Sequence, residues 1–290
     1  MHWCTQILPT FGVKSMIRKL TLLSIIFLIC TSHDMFLKMD TYYLEAGKKA
    51  AIKLLNGTFD RSENVIARDR MRDVSLITPA GMKHPHQNQW SEKGEETILA
   101  FTTDDPGTYV LGVSTQGKTI DLKATDFNEY LKHDGILDAL AQRKKDGKLG
   151  TDVTELYSKH VKTIFQVGTE RSDHYKEKLN YPIEFIPLKN PYLITRDEAA
   201  PFLLLRDGRP LMDQLVYVGQ AHQAPHQHDE EQTHDHRSHE HLLRTDKAGR
   251  VAYQFDTPGP WYLRTIHMTG HADDLIQYES SWATITFEIK

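Results

Sequence analysis

Cysteine is almost missing from this 290-residue chain: there are two, Cys4 and Cys30, both close to the N-terminus. If the first 32 residues are removed no thiol remains, which excludes a disulfide framework, a thiolate metal site and a cysteine nucleophile. A surplus of positive charge is also lacking. Lys plus Arg number 35 against 39 Asp plus Glu, a net charge of −4. That balance gives no broad basic surface, so no nucleic-acid partner is expected. The apolar run Leu20 to Cys30, broken by Thr21 and Ser24, is too short for a bilayer span, which needs ~20 residues. Enzyme signatures are missing as well. His239-Glu240-His241 only superficially resembles H-E-x-x-H, and there is no G-x-S-x-G, G-x-G-x-x-G or P-loop. The expectation is a protein that is not an enzyme.

What the N-terminus does contain is an export signal. Lys14, Arg18 and Lys19 precede the apolar run, and Cys30 and Ser32 are small residues placed for cleavage before His33. Met16 opens this segment so closely that residues 1–15 read as an upstream extension. Residues 1–32 hold three basic and no acidic side chains, so cleavage takes the net charge from −4 to −7. A periplasmic or secreted protein follows, with no stable transmembrane helix after cleavage.

Beyond His33 the pattern is one of short strands between turn signals. Strands are expected at Ala50 to Leu55, Val74 to Thr78, Thr97 to Thr102 and Tyr109 to Ser114, then Pro201 to Leu205, Leu211 to Val218, Val251 to Phe255, Trp261 to His267 and Trp282 to Ile289. Asp207-Gly208 is a hairpin signal. Phe127, Tyr130, Leu131, Ile136, Leu137 and Leu140 predict one helix, capped by Thr125 or Asp126, with Gly135 as a candidate break. Val153, Leu156, Tyr157, His160, Val161 and Ile164 predict a second, capped by Thr151. The fold class is therefore mainly β: two immunoglobulin-like or transthyretin-like β-sandwich domains, residues 33–187 and 188–290, the first with a two-helix insertion at about 125–167.

Histidine is the compositional outlier, with 16 residues, seven of them in one run. His222, His226, His228, His234, His236, His239 and His241 are interleaved with Asp229, Glu230, Glu231, Asp235 and Glu240. Neutral imidazole suits Ni²⁺, Co²⁺, Zn²⁺ and Cu²⁺, and three H-x-H pairs put two rings within reach of one ion. The run has almost no apolar residue, so it is read as a long polar connection, loop 220–241, that captures divalent transition metal. The bland alternative is a merely solvated loop. His33 is a second candidate ligand: as a mature N-terminus, its α-amine and imidazole chelate one ion. With His84, His86 or His267 as third ligand this would make a copper histidine brace, a redox alternative.

Other residues read more plainly. His267 is expected to be satisfied by a backbone partner, and His271 to face solvent. Glu184 interrupts an apolar run and must be exposed or paired, pairing being the better reading. Asp246 and Gly249 mark a turn. A different class of function treats the sandwiches as a surface or carbohydrate-binding module with incidental histidines, for which Trp90, Tyr42 or Tyr43 would supply exposed aromatics.

Five segments in order carry a family resemblance: His33-Asp34-Met35-Phe36-Leu37; Glu155-Leu156-Tyr157 running to Val167-Gly168; Pro182-Ile183-Glu184-Phe185-Ile186-Pro187-Leu188-Lys189-Asn190-Pro191; Thr245-Asp246-Lys247-Ala248-Gly249-Arg250; and Tyr278-Glu279-Ser280-Ser281-Trp282-Ala283-Thr284. This order resembles the NikM-like family of exported bacterial proteins, a domain of unknown function linked to periplasmic components of nickel and cobalt uptake. The resemblance implies an N-terminal β domain with a helical insertion and a C-terminal sandwich. It also implies nickel or cobalt as the metal and a membrane metal transporter as a partner, and it transfers no catalytic residue.

Overall fold

A computed structural model describes residues 33–195, 198–221, 240–271 and 275–290. The expected export signal, residues 1–32, lies outside the described residues, as do His222, His226, His228, His234, His236 and His239. The chain opens with β1 (Asp34–Lys38), β2 (Tyr43–Leu44), β3 (Lys49–Gly57), β4 (Met71–Thr78), β5 (Gly81–Lys83), β6 (Trp90–Lys93), β7 (Glu96–Thr102), β8 (Gly107–Thr115) and β9 (Lys118–Leu122). Two helices follow, α1 (Ala124–His133) and α2 (Leu137–Lys145). The later strands are β10 (Val153–Val167), β11 (Ile183–Pro187), β12 (Ala199–Arg206), β13 (Arg209–Pro210), β14 (Leu215–Gln220), β15 (His241–Arg244), β16 (Arg250–Gln254), β17 (Gly259–Gly270) and β18 (Tyr278–Ile289).

These strands form three sheets, and the fold is mainly β, with the sheets sandwiched over two hydrophobic cores. The central sheet runs β15-β14-β17-β18-β10-β8-β4-β5, with β2 and β9 also on β10. One outer sheet is β1-β3-β7-β6; the other is β11-β12-β13, with β16 on β12. Side chains alternate faces along a strand, and the central sheet uses both. Val161, Phe165 and Val167 of β10 join Leu37, Ile52, Leu54 and Leu99 in one core. Ile164 of β10, with Ile285 and Phe287 of β18, joins Phe185, Phe202 and Phe255 in the other.

The expected boundary at 187/188 falls between β11 and β12, two paired strands of the same outer sheet. It does not separate two bodies: residues 32–290 form one compact unit. β10 and β18 pair in parallel from Glu155 opposite Tyr278 to Thr163 opposite Thr286, tying the first half to the last strand.

The second predicted helix is wrong. Residues 153–167 are strand β10, and the two helices both lie before it, split at Gly135 (φ 75°) and ending before Asp146 and Gly147. The caps differ too. Neither Thr125 nor Asp126 caps α1; the carboxylate of distant Asp152 accepts the Ala124 N–H at 3.0 Å. The hairpin at Asp207-Gly208 forms as expected, both residues at positive φ (49° and 73°) between β12 and β13.

One packing detail positions the site. β1 is an edge strand that crosses β18, and its carbonyls would be buried without donors. Thr284 Oγ1 donates to Met35 O (2.9 Å) and Thr286 Oγ1 to Leu37 O (2.6 Å). Side-chain hydroxyls thus hold the N-terminal strand on the central sheet, and α1 packs on the same face through Tyr130 stacked on Trp282.

Candidate functional site

Between β1 and the helix pair, that face of the central sheet is not apolar. Strand register puts Tyr217, Arg264, Thr284 and Val161 in one row across β14, β17, β18 and β10, with Lys159, Trp282 and Ile266 in the next. Arg264 and Lys159 therefore sit diagonally across β18, 2% and 6% exposed. Asp34 reaches in from β1, Asp134 from the end of α1 and Glu155 from β10, all three buried.

Arg264 is the hub. Its Nε donates to Glu240 Oε1 (2.6 Å), Nη2 to Glu240 Oε2, and Nη1 to the Asp134 carbonyl (3.1 Å); Asp34 Oδ2 is 3.6 Å from Nε. The guanidinium lies 4.3 Å from the Tyr217 ring centre, and Tyr262 O–H donates to Glu240 Oε1 at 2.9 Å. A two-pronged Arg–carboxylate pair is the strong kind of ion pair. Burial alone would lower the Arg264 pKa, but Asp34 and Glu240 outweigh it and raise it.

Lys159 is less well provided. Its Nζ donates to Asn56 Oδ1 (3.0 Å) and to the His33 carbonyl, and lies 5.0 Å from the Trp282 ring centre. Burial pulls its pKa down to about 8, against the pull of Asp34 and Asp134. Glu155 accepts from Ser280 Oγ and Tyr130 O–H, and burial pushes its pKa up to about 7. Near neutral pH this face therefore holds groups that exchange protons.

The site meets the predicted ligands at two points. Glu240, directly after the run's last undescribed histidine, is the carboxylate that Arg264 grips; His33, directly before Asp34, sits at its rim. His33 Nε2 is 3.0 Å from Glu63 Oε2. Burial lowers its pKa, with Glu63 opposing, so the imidazole favours the neutral form a metal needs. His241 starts β15 exposed, its ring 5.1 Å from that of Tyr253.

The predicted third ligands for His33 are not there. His84 turns to the Val74 carbonyl (3.0 Å), His86 is exposed beside the Gln87–Gln89 turn, and His267 meets Gln214 Oε1 at 2.9 Å, a side chain rather than the expected backbone group. Among the described residues no three His, Cys, Asp or Glu side chains group so as to hold a metal ion. A carboxylate, not a second imidazole, faces His33. Tyr42, expected as an exposed aromatic, is fully buried, and Tyr43 is half-buried against Tyr192. His271 is exposed and the Asp246 turn forms, Asp246 Oδ1 accepting from Ala248 N and Arg250 N. Glu184 is buried and paired with Lys162 at 2.9 Å, as its place in an apolar run required.

Asp34, Asp134 and Arg264 were not singled out, and Glu240 was read only as a carboxylate of the histidine run, not as the partner of Arg264. They are single charges from four distant places, and only Arg264 carried a signal, a charge inside the apolar Trp261 to Ile266 strand.

Comparison with known proteins gives a family match and distant structural overlaps. A family model described as a domain of unknown function, DUF4198, matches residues 30–269. No curated protein matches the chain. Among solved structures, the D0-D1 domain of intimin overlaps 88% of this chain and 97% of its own, at 10% identity and a TM-score of 0.20. A mutant Salmonella alpha-2-macroglobulin overlaps 88% of this chain at 11% identity and a TM-score of 0.22, and elastase-activated Escherichia coli alpha-2-macroglobulin overlaps 88% at 10% and 0.23. This chain spans 15% and 20% of those two. Overlaps at these TM-scores carry no argument about this chain. Among the described residues no helix is long and apolar enough to cross a membrane.

Proposed function

We propose, from the premise that the chain belongs to the DUF4198 family, a domain of unknown function, that it is an exported, non-enzymatic protein that captures divalent transition metal. The observation that supports this reading best is Glu240. This residue, within the histidine run's last H-E-H, is held by Arg264 in the same buried cluster as Asp34, the residue directly after His33. Residues adjoining two imidazole sources far apart in sequence, Glu240 and Asp34, thus meet on Arg264. The run would take the ion as cargo with interchangeable imidazoles, and His33 with Glu63 would add a nitrogen and an oxygen ligand at the rim. The resemblance to the NikM-like family favours nickel or cobalt over zinc or copper, and favours delivery to a membrane metal transporter from a periplasmic or secreted position.

The test is calorimetric titration of the chain starting at His33 with Ni²⁺, Co²⁺, Zn²⁺ and Cu²⁺, with and without residues 222–239. That deletion spares Glu240 and His241, so the sheet keeps its anchor. Affinity should fall about tenfold or more on deletion, ~1.4 kcal/mol, and in the intact protein should weaken as pH drops through ~6.5, where imidazole protonates. Equal binding of every ion by both proteins refutes the reading.

A further inference from the structure

A second site lies on the outer sheet that contains β1, far in sequence from the histidine run. Between β6 and the segment before β4, a groove of about 480 Å³ is lined by Ala67, Arg68, Asp69, Gln87, Trp90 and Glu92, with Ser91 and Thr97 completing it. Its size is that of ordinary small-ligand clefts. The chemistry of its wall narrows the ligand. Trp90 is the one tryptophan among the described residues that is half-buried: Trp261 and Trp282 are 4% and 2% exposed. It packs on the core and presents the rest of its ring to the groove.

Around this flat apolar platform stand an amide (Gln87), a hydroxyl (Ser91), two carboxylates (Asp69, Glu92) and one guanidinium (Arg68). One cation against two carboxylates disfavours a phosphate or nucleotide, which seeks positive charge. Ala67 and Trp90 alone are too little apolar wall for a lipid or an amphipathic helix. A ligand with an apolar face and many neutral hydroxyls fits both facts. Two donors of its lining residues, Trp90 Nε1 and Arg68 Nε, are buried and have no hydrogen-bond partner among the described residues. Buried donors are normally paired, and an oxygen-rich ligand that displaces the side chains covering them supplies acceptors. Thr97 is not available for this, because its hydroxyl is already bonded to both the N–H and the carbonyl of Ile66.

We propose that this groove is a saccharide-binding site, with Trp90 as the stacking platform and Asp69, Gln87 and Glu92 as hydroxyl partners. It is independent of the metal reading, since none of its residues belongs to the histidine run or the buried cluster. The test uses the fluorescently labelled full chain on a broad glycan array, followed by titration of the captured glycan while following tryptophan fluorescence. Capture of a glycan, with affinity reduced about tenfold or more by Trp90→Ala and severalfold by Gln87→Ala, is the expected result. Gln87 is exposed, so its replacement leaves the fold intact and covers the case in which Trp90→Ala unfolds the sheet edge. Capture of no glycan overturns the proposal. So does capture that Gln87→Ala and Glu92→Gln leave unchanged, or capture that metal chelation abolishes.

Discussion

Strand β10 buries two lysines three residues apart, and they illustrate two ways of keeping a charge inside a protein. Lys162 faces the β11 sheet and meets Glu184 at 2.9 Å, both side chains 1% exposed. Every oxygen of that carboxylate is used: Leu179 N and Asn180 N each donate at 3.0 Å, and Lys162 also reaches the Phe185 carbonyl. Lys159 faces the opposite way, towards β1 and the helices. It holds a carbonyl, an amide oxygen and an aromatic face, and its carboxylate neighbours are engaged elsewhere: Asp34 with Arg264 (3.6 Å), Asp134 with His133 (3.0 Å) and Glu155 with hydroxyls. The first arrangement is one-to-one and closed, and it pins the turn where Asn180 sits at positive φ (55°). The second is shared, with pKa values near neutrality, and it borders the predicted ligands. A paired charge in a core is a strut; a shared one responds to its surroundings.

The comparison breaks most visibly at Glu184. Glu184→Ala leaves Lys162 buried without a partner and strands two backbone donors, a loss of about 3–5 kcal/mol by urea unfolding. Lys162→Met with Glu184→Leu should recover only the part of that loss due to the unpaired lysine, because Leu179 N and Asn180 N still lack their acceptor. Glu240→Gln in the shared cluster should cost less than Glu184→Ala. The amide oxygen of that variant can still accept from Tyr262, and Asp34 still faces Arg264. Equal losses at the two places would mean both clusters are struts, and the contrast between them would fail.

The same two faces of β10 explain what the sequence concealed. Val153, Leu156, Tyr157, His160, Val161 and Ile164 have helical spacing, yet they lie in a strand. A strand buried on one face alternates visibly; β10 is buried on both, and Lys159, Lys162, Thr163 and Gln166 fill interior positions with polar atoms. The period of two is therefore masked, and the leftover apolar residues mimic a helix. β18 shows the opposite case. Its Ala283, Ile285, Phe287 and Ile289 alternate with Thr284, Thr286 and Glu288, so the strand was legible, although the two threonine hydroxyls are interior donors to β1. Turns were legible at Asp207-Gly208, Gly135 and Asp246 because each has a local chemical cause. Glu184 was legible as a lone charge in an apolar run. The Arg264 cluster was not, since Asp34, Asp134, Glu240 and Arg264 meet only through the central sheet.

A sharper test uses pH. Glu155 ordinarily titrates at 4.5 and is raised to about 7 in the fold, so the folded state holds its proton through that window while the unfolded chain has lost it. Its contribution to stability therefore declines by ~3 kcal/mol as pH rises from 4.5 to 7. His160, between Ser114 Oγ (2.9 Å) and Ser158 Oγ (3.0 Å) on the other face of β10, is lowered by burial from 6.5 to about 3. Here the unfolded chain binds the extra proton, so stability rises with pH from 3 to 6.5. Between 4.5 and 6.5 the two slopes oppose. Glu155→Gln should leave a stability that rises by ~2–3 kcal/mol across that interval relative to wild type. Guanidinium unfolding at half-unit pH steps reads it. A variant whose pH profile parallels wild type would show that Glu155 titrates normally and that the helix side of β10 is as inert as the Lys162 side.

The smallest expected effect is at the rim, where His33 meets Glu63. Glu63 is open to solvent, with its side chain 44% exposed, so the pair should add only ~0.2–1 kcal/mol. Glu63→Gln is therefore a poor stability probe and a good electrostatic one. Burial is the main reason the His33 pKa is lowered, Lys159 adds to it, and Glu63 opposes both. Removing the Glu63 charge should lower the His33 pKa further, whereas Lys159→Met should raise it. Both shifts can be followed by NMR titration of the His33 ring protons. If the two variants move the pKa in those opposite directions, His33 senses the shared cluster through Lys159 and its protonation is linked to the face that Glu240 joins. If Lys159→Met leaves the His33 titration unchanged, the rim is electrically separate from the cluster. The His33 ligand would then act independently of the histidine run, and the anchoring of Glu240 would be only a matter of folding.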